Sequence, residues 1–349
     1  MDNFREVPVV DIAALADGSP RERAAVAAAL GSAARDVGFM YLAGFSGELA
    51  GPRGGDGLPH RLFDDLLTVT QRFFAQPMPV KMRSYIGNSP NHRGYVPEGE
   101  EVFAGGTVDR KEAFDLALDL PADDPDHLAG NPLLGPNQWP DVAGFAAAAS
   151  GYHGAVLALG RLVLRGFAMA LGEPADFFDR YVTKPPSQLR LIHYPFDADA
   201  EDRPGIAAHT DYECFTILKP TAPGLEVRNG AGEWVDVPPI DDTFVLNIGD
   251  MLELWTNGEF VATTHRVRTV REERYSFPLF FSVDYHTRVV PLERFVSPGR
   301  PARPGLVAGE HLFAQTAQSF RYLQRRLAAG EIALPDGSLA LSSFGRTAQ

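Results

Sequence analysis

The chain has 349 residues, of which 45% are hydrophobic and 22% charged, and its formal net charge is −13. That length admits two domains or one large β-built domain with helical additions, and the composition excludes wholesale disorder. The acidic balance argues against a nucleic-acid partner, and the lone cysteine, Cys214, excludes internal disulfides and any zinc site built on several thiolates.

The N-terminal residues Met1 to Glu6 carry mixed charge and run straight into Val7-Pro8-Val9-Val10, which is not a signal-peptide pattern. Residues 7–12 read as a short strand. Ser19-Pro20-Arg21-Glu22 is a capping box with proline at the first helical position, and the Ala-rich helix it opens runs to Asp36. Residues 39–42 read as a strand, and 62–74 carry apolar side chains at helical spacing. The stretches 86–106 and 119–140 are rich in Gly, Pro, Asn and Asp and predict long loops, the kind that are usually functional or disordered. Residues 142–171 are the most apolar long stretch. Ser150, His153, Arg161 and Arg165 interrupt it, so it predicts a core helix and not a membrane span.

After Pro186 the texture changes. Short β-rich runs at 189–194, 214–218, 225–228, 234–237, 243–248, 260–267 and 275–283 alternate with turn residues, the spacing of an all-β sandwich or barrel. Asn229-Gly230 followed by Gly232 signals a hairpin between two of them. Residues 309–328 return to helical spacing and predict one helix packed across the sheet.

Three features of the β region need a joint explanation. In an extended segment, residues i and i+2 share a face, so His209-Thr210-Asp211 puts an imidazole beside a carboxylate. A second imidazole, His265, follows on a later run. Two histidines and one carboxylate form the facial triad of non-haem Fe(II) oxygenases, which leaves coordination positions open. In Arg274-Tyr275-Ser276 an arginine fork and a hydroxyl again share one face, a pairing suited to a carboxylate. Each feature alone is weak, because a strand histidine is usually a satisfied core residue and Arg with Ser can be structural. Their order and spacing together carry the inference.

With these residues in place, the chain resembles the Fe(II)/2-oxoglutarate-dependent oxygenases of the isopenicillin N synthase-like superfamily over nearly its whole length. The resemblance is carried by Val7-Pro8-Val9-Val10-Asp11, Arg35-Asp36-Val37-Gly38-Phe39, Arg93-Gly94-Tyr95, Lys111-Glu112-Ala113-Phe114-Asp115 and Leu189 to Pro195. It continues through His209-Thr210-Asp211, Pro223-Gly224-Leu225, Asn247-Ile248-Gly249-Asp250, His265-Arg266-Val267 and Arg274-Tyr275-Ser276. It implies a mainly β, α+β fold: a double-stranded β-helix, or jelly roll, with N-terminal, middle and C-terminal helices packed around it. The implied organisation is an N-terminal mixed region (1–120), a loop and long support helix (121–186), a catalytic core (187–290) and a C-terminal helix (305–330). The resemblance also implies Fe(II) on His209, Asp211 and His265, and 2-oxoglutarate on Arg274, Ser276 and Tyr194, with O2 as the other cosubstrate. The implied reaction couples decarboxylation to succinate and CO2 with hydroxylation or desaturation of a small molecule. Because Asp211 is present, the carboxylate-free halogenase variant does not apply.

The substrate pocket is only partly legible. Period 2 from Arg274 and Ser276 places Phe280 on the same face, and Tyr212 follows the carboxylate directly. Phe114, Arg93 and Tyr95 lie in segments resembling the family's lid elements, although Phe114 and Phe280 suit a core equally well. His193 reads as a packing or solvent-facing neighbour, Cys214 as a small buried residue, and Thr263-Thr264 carries no assigned role. Two other functions stay open: a cosubstrate-free oxidase of the isopenicillin N synthase type, whose Arg–Ser pair would hold the substrate's own carboxylate, and a non-catalytic jelly-roll binding module. The expected setting is a cytoplasmic monomer without membrane or nucleic-acid partners, in bacterial secondary metabolism such as antibiotic biosynthesis.

Overall fold

A computed structural model describes residues 3–45, 58–102, 111–196, 204–268 and 271–339. In chain order the strands that build its two main sheets are β1 (Val9–Asp11), β2 (Phe39–Ala43), β3 (Gly94–Val96), β4 (Glu112–Leu116), β5 (Gln188–Tyr194), β6 (Pro204–His209), β7 (Phe215–Pro220), β8 (Leu225–Arg228), β9 (Trp234–Asp236), β10 (Phe244–Ile248), β11 (His265–Arg268) and β12 (Arg274–Phe281). The larger sheet has the order β1-β2-β10-β7-β12-β5-β4-β3, and the smaller one β6-β11-β8-β9. Apart from the parallel β1–β2 pair, neighbouring strands are antiparallel. Side chains from both sheets line one cavity between them, which is the two-layer arrangement of a jelly-roll core.

The helix Phe145–Ala170 supports the larger sheet from outside. Tyr152, Val156, Leu159, Val163 and Phe167 are buried along it. Gly160 is required at the closest approach, since a Cβ there would stand 2.3 Å from the Phe281 ring on β12. This helix is long and apolar enough to cross a membrane, but 61% of its most apolar window is buried inside the fold. It is the core helix that the interrupting polar residues predicted. The Ser19 capping box forms as expected, with the Ser19 side chain accepting from the Glu22 N–H and Glu22 reaching back to the Ser19 N–H.

Three elements differ from the sequence expectation, each for a visible reason. The run 260–267 pairs only from His265 onward. Before it, side chains satisfy the backbone: Thr256 Oγ1 accepts from Phe260 N–H at 3.0 Å and Glu253 Oε2 from Ala262 N–H at 2.7 Å. The expected C-terminal helix is two, Ala308–Ser319 and Arg321–Ala328, broken at Phe320 with φ −100° and ψ 122°. There the chain pairs with residues 100–102 instead, with Val102 N–H on Ser319 O and Arg321 N–H on Glu100 O. The expected loop at 86–106 contains β3, which pairs with β4.

Candidate active site

The two imidazoles of the predicted triad meet by register: His265 on β11 stands directly opposite His209 on β6. Each Nδ1 lies against a backbone carbonyl, His209 to Ala207 O at 2.7 Å and His265 to Thr263 O at 3.2 Å. Those contacts turn both Nε2 atoms toward Asp211 Oδ1, at 3.6 Å from each. Strand β6 ends at His209, so Asp211 lies in the turn that follows and not on the strand the sequence suggested. The next helix fixes that turn, with Asp250 N–H on Asp211 O and Met251 N–H on Glu213 O. Gly249 is obligatory at this crossing, because a Cβ would come within 2.3 Å of Glu213 O.

Asp211 divides its two oxygens. Oδ2 accepts from Asn247 Nδ2 at 2.7 Å and from the Thr216 hydroxyl, while Oδ1 faces the imidazoles. Desolvation would raise this buried carboxyl. His265, His209 and Asn247 outweigh it and hold the group well below the usual carboxylate range. Burial, with His209 alongside, lowers the His265 imidazole to about 4, so it stays neutral and available as a ligand. The three ligand atoms lie within 4.8 Å of one another. Two imidazole nitrogens and one carboxylate oxygen converging at a distance too long for direct hydrogen bonds fit a divalent metal of the non-haem iron type.

The other polar end of the cavity is formed by β12 and β5. Arg274 pairs across the ladder with Tyr194, and its guanidinium carbon lies 4.8 Å from the centre of the Tyr194 ring. Its Nε donates to Ala222 O at 3.1 Å. Arg274 is 1% exposed, and its buried Nη1 has no hydrogen-bond partner among the described residues. A buried guanidinium nitrogen without a partner is costly, and a carboxylate would satisfy it. Ser276, buried on the same strand face, lines the same cavity with Tyr194, His209, Asp211 and His265.

The residues expected around a substrate separate into two groups. Phe280 lines the metal cavity and also a second chamber, where Tyr212 joins it. Phe114, Arg93 and Tyr95 line neither. Phe114 packs on Phe73 and Phe145, and Tyr95 donates to Glu112 Oε2 at 2.6 Å. Arg93 donates to three backbone carbonyls, those of Asn91, His92 and Leu133, and so ties two loops together. His193 is buried, not solvent-facing. It stacks between Phe74 and Tyr275 and bridges Glu112 and Glu273 at 2.9 Å each. Cys214 is buried and free. Four positioning groups escaped the sequence reading: Ala207, Asn247, Thr216 and Thr263. Thr263 orients His265 through its carbonyl while its hydroxyl donates to Val37 O at 2.7 Å.

Comparison with known proteins agrees with the geometry. Residues 7–142 match the N-terminal region described as non-haem dioxygenase in morphine synthesis, and 185–283 match the 2OG-Fe(II) oxygenase superfamily. A homoarginine-6-hydroxylase of Oryza sativa subsp. japonica is 32% identical over 91% of this chain and 98% of that protein. A 2-oxoglutarate-dependent dioxygenase of Talaromyces stipitatus is 31% identical over 82% of this chain and 89% of its own. A 2OG-Fe(II) oxygenase family structure from Caulobacter crescentus superposes with a TM-score of 0.75 at 27% identity, covering 93% of this chain and 99% of that one. Fold and site define a non-haem iron dioxygenase. The chain belongs to the Fe(II)/2-oxoglutarate-dependent oxygenases of the isopenicillin N synthase-like superfamily, with Fe(II) and 2-oxoglutarate as its cofactors.

Proposed function

We propose that the enzyme hydroxylates a small molecule in a reaction coupled to 2-oxoglutarate, with His209, Asp211 and His265 as the iron ligands and Arg274, Ser276 and Tyr194 as the cosubstrate clamp. The observation that carries this reading is the buried, partnerless Nη1 of Arg274 in the same cavity as the triad. Bound Fe(II) with 2-oxoglutarate and O2 supplies the oxidising power, and 2-oxoglutarate leaves as succinate and CO2. The protein's own part is positional. Ala207 and Thr263 hold the imidazole rings, Asn247 and Thr216 hold the carboxylate, and Ile192, Ile206, Leu218, Leu225 and Val267 keep the cavity apolar. In such surroundings the Arg274 fork recognises a carboxylate far more strongly than it could in water.

Hydroxylation is preferred to desaturation or ring closure because Oryza sativa, Glycine max and Arabidopsis thaliana relatives carry the name homoarginine-6-hydroxylase. Secondary metabolism in a cytoplasmic monomer completes the proposal. The N-terminal match, described in terms of morphine synthesis, supports secondary metabolism, while the named relatives are plant and fungal and lend no support to the bacterial setting expected from the sequence. The test is stoichiometry: one succinate should form for each product molecule. Product formed without succinate would sink the proposal in favour of the cosubstrate-free oxidase.

A further inference from the structure

The segment that delivers His265 lies outside the strands until His265 itself, yet Thr263 O in that segment is the acceptor that turns the imidazole. Much of its support comes from the opposite end of the chain. The helix Pro20–Asp36 ends at a tight corner that leads into β2. Val261 N–H donates to Ala34 O at 3.0 Å, and the Thr263 hydroxyl donates to Val37 O at 2.7 Å. Gly38, at φ +72°, permits the approach, since a Cβ there would stand 2.3 Å from both Thr263 Oγ1 and Val261 O. Phe39 is fully buried, and its ring meets the His265 imidazole in a T-shaped contact, with centroids 5.3 Å apart and planes at 68°.

The same corner reaches the carboxylate of the triad. Phe39 pairs in register with Asn247 on β10, and Asn247 Nδ2 holds Asp211 Oδ2 at 2.7 Å. Ile248 N–H donates to Gly38 O at 2.9 Å. Three consecutive residues therefore touch both the segment that orients His265 and the strand that orients Asp211. Any large apolar side chain at position 39 would fill the space. An aromatic ring set edge-to-face also fixes the tilt of its neighbour, because the ring quadrupole favours that geometry.

We infer that Val37-Gly38-Phe39 is a positioning corner for the metal centre. Phe39 sets the tilt of the His265 ring, and the Thr263–Val37 hydrogen bond fixes the carbonyl that orients it. The N-terminal region thus contributes to iron affinity as well as to the stability of the fold. This deepens the ligand set proposed above and rests on it.

The test is anaerobic titration of the full-length apoprotein with Fe(II) against a competing chelator, with urea unfolding of each apoprotein alongside. Wild type and His265→Ala come first; if both hold Fe(II) equally well, the ligand reading fails on its own. Phe39→Leu keeps an apolar side chain without the ring and should weaken Fe(II) roughly three- to tenfold, the scale of one aromatic pair. Thr263→Val removes the hydroxyl at nearly constant volume and should weaken Fe(II) as well, while Thr263→Ser, which keeps the hydroxyl, should restore most of the affinity. Met40, also fully buried, is the next residue on β2 and points to its other face. Met40→Val should lower urea stability and leave Fe(II) affinity unchanged. A folded Phe39→Leu protein with wild-type affinity overturns the inference, as does an equal loss of affinity in Met40→Val. If Phe39→Leu does not fold, the Thr263 pair decides: wild-type affinity in Thr263→Val, or no recovery in Thr263→Ser, overturns it.

Discussion

Replacing Arg274 by lysine isolates what the guanidinium fork does. The charge is kept, but lysine offers a point charge where arginine offers several fixed donors. In the structure Nε is engaged with Ala222 O and Nη1 is buried without a partner among the described residues, so the fork offers a donor to something that enters the cavity. Losing one hydrogen bond to a charged acceptor costs about 1.5–3 kcal/mol, which weakens 2-oxoglutarate roughly ten- to hundredfold. The assay is anaerobic calorimetry of 2-oxoglutarate against Fe(II)-loaded wild type and Arg274→Lys, with steady-state KM for both substrates alongside. The affinity for 2-oxoglutarate should fall by that factor while the prime substrate's changes little. A loss confined to the prime substrate would refute the reasoning, since Arg274 would then hold the substrate's own carboxylate, as in a cosubstrate-free oxidase.

Asp211→Ala should abolish turnover and iron retention, because two imidazoles cannot hold the metal facially; near-normal activity measured without added formate or chloride would contradict the ligand set. Asn247→Ala leaves Asp211 Oδ2 with only the Thr216 hydroxyl, and Fe(II) affinity should drop roughly 10–100-fold in a competitive chelator titration, with an unchanged affinity counting against the positioning role. Arg190→Met leaves Asp115 buried without its guanidinium partner and Glu101 with Lys111 alone, and should lower stability to urea by about 3–5 kcal/mol; an unchanged urea midpoint would contradict this. The same pair sets a pH dependence. Burial would raise the Glu101 carboxyl, but Arg190 and Lys111 overcome it and lower the group from 4.5 to about 2. Its contribution, roughly 3 kcal/mol, is present above about pH 4.5 and lost as the pH falls toward 2. Urea unfolding across that range should show a steeper loss in wild type than in Arg190→Met, and equal slopes would refute the assignment.

The cluster of His209, Asp211 and His265 and the buried Arg274 were legible because their chemistry is carried by residue type at short, ordered spacings. What was not legible depended on contacts between distant segments. Nothing in Asn247 or Thr216 marks either as a partner of Asp211; that follows from β10 and β7 lying side by side in the larger sheet. Strand β6 was missed because Pro204-Gly205 and Ala207-Ala208 leave Ile206 as its one β-branched residue, and pairing with β11 is what makes it extended. Phe114 shows how one step of register decides a role. It points toward Phe73 and Phe145, while its neighbour Asp115 points the other way, to Arg190. The sequence contains both residues but not the sheet that assigns them to opposite sides. The helical period across 309–328 was likewise sound, and only the pull of Glu100 on the backbone at Arg321 and Tyr322 breaks it.

The split C-terminal helix also bears on the order in which the protein is made. Leu312, Thr316 and Phe320, which wall the chamber beside Glu213, lie beyond every residue of the iron site and beyond Arg274. A growing chain therefore carries the whole ligand set before the chamber has its outer wall. Segments that have emerged can fold while the rest is still being made. A centre armed with iron and cosubstrate at that stage would face the protein's own interior side chains instead of a bound molecule. In chain order the wall is completed last, when Phe320 pairs with Glu101.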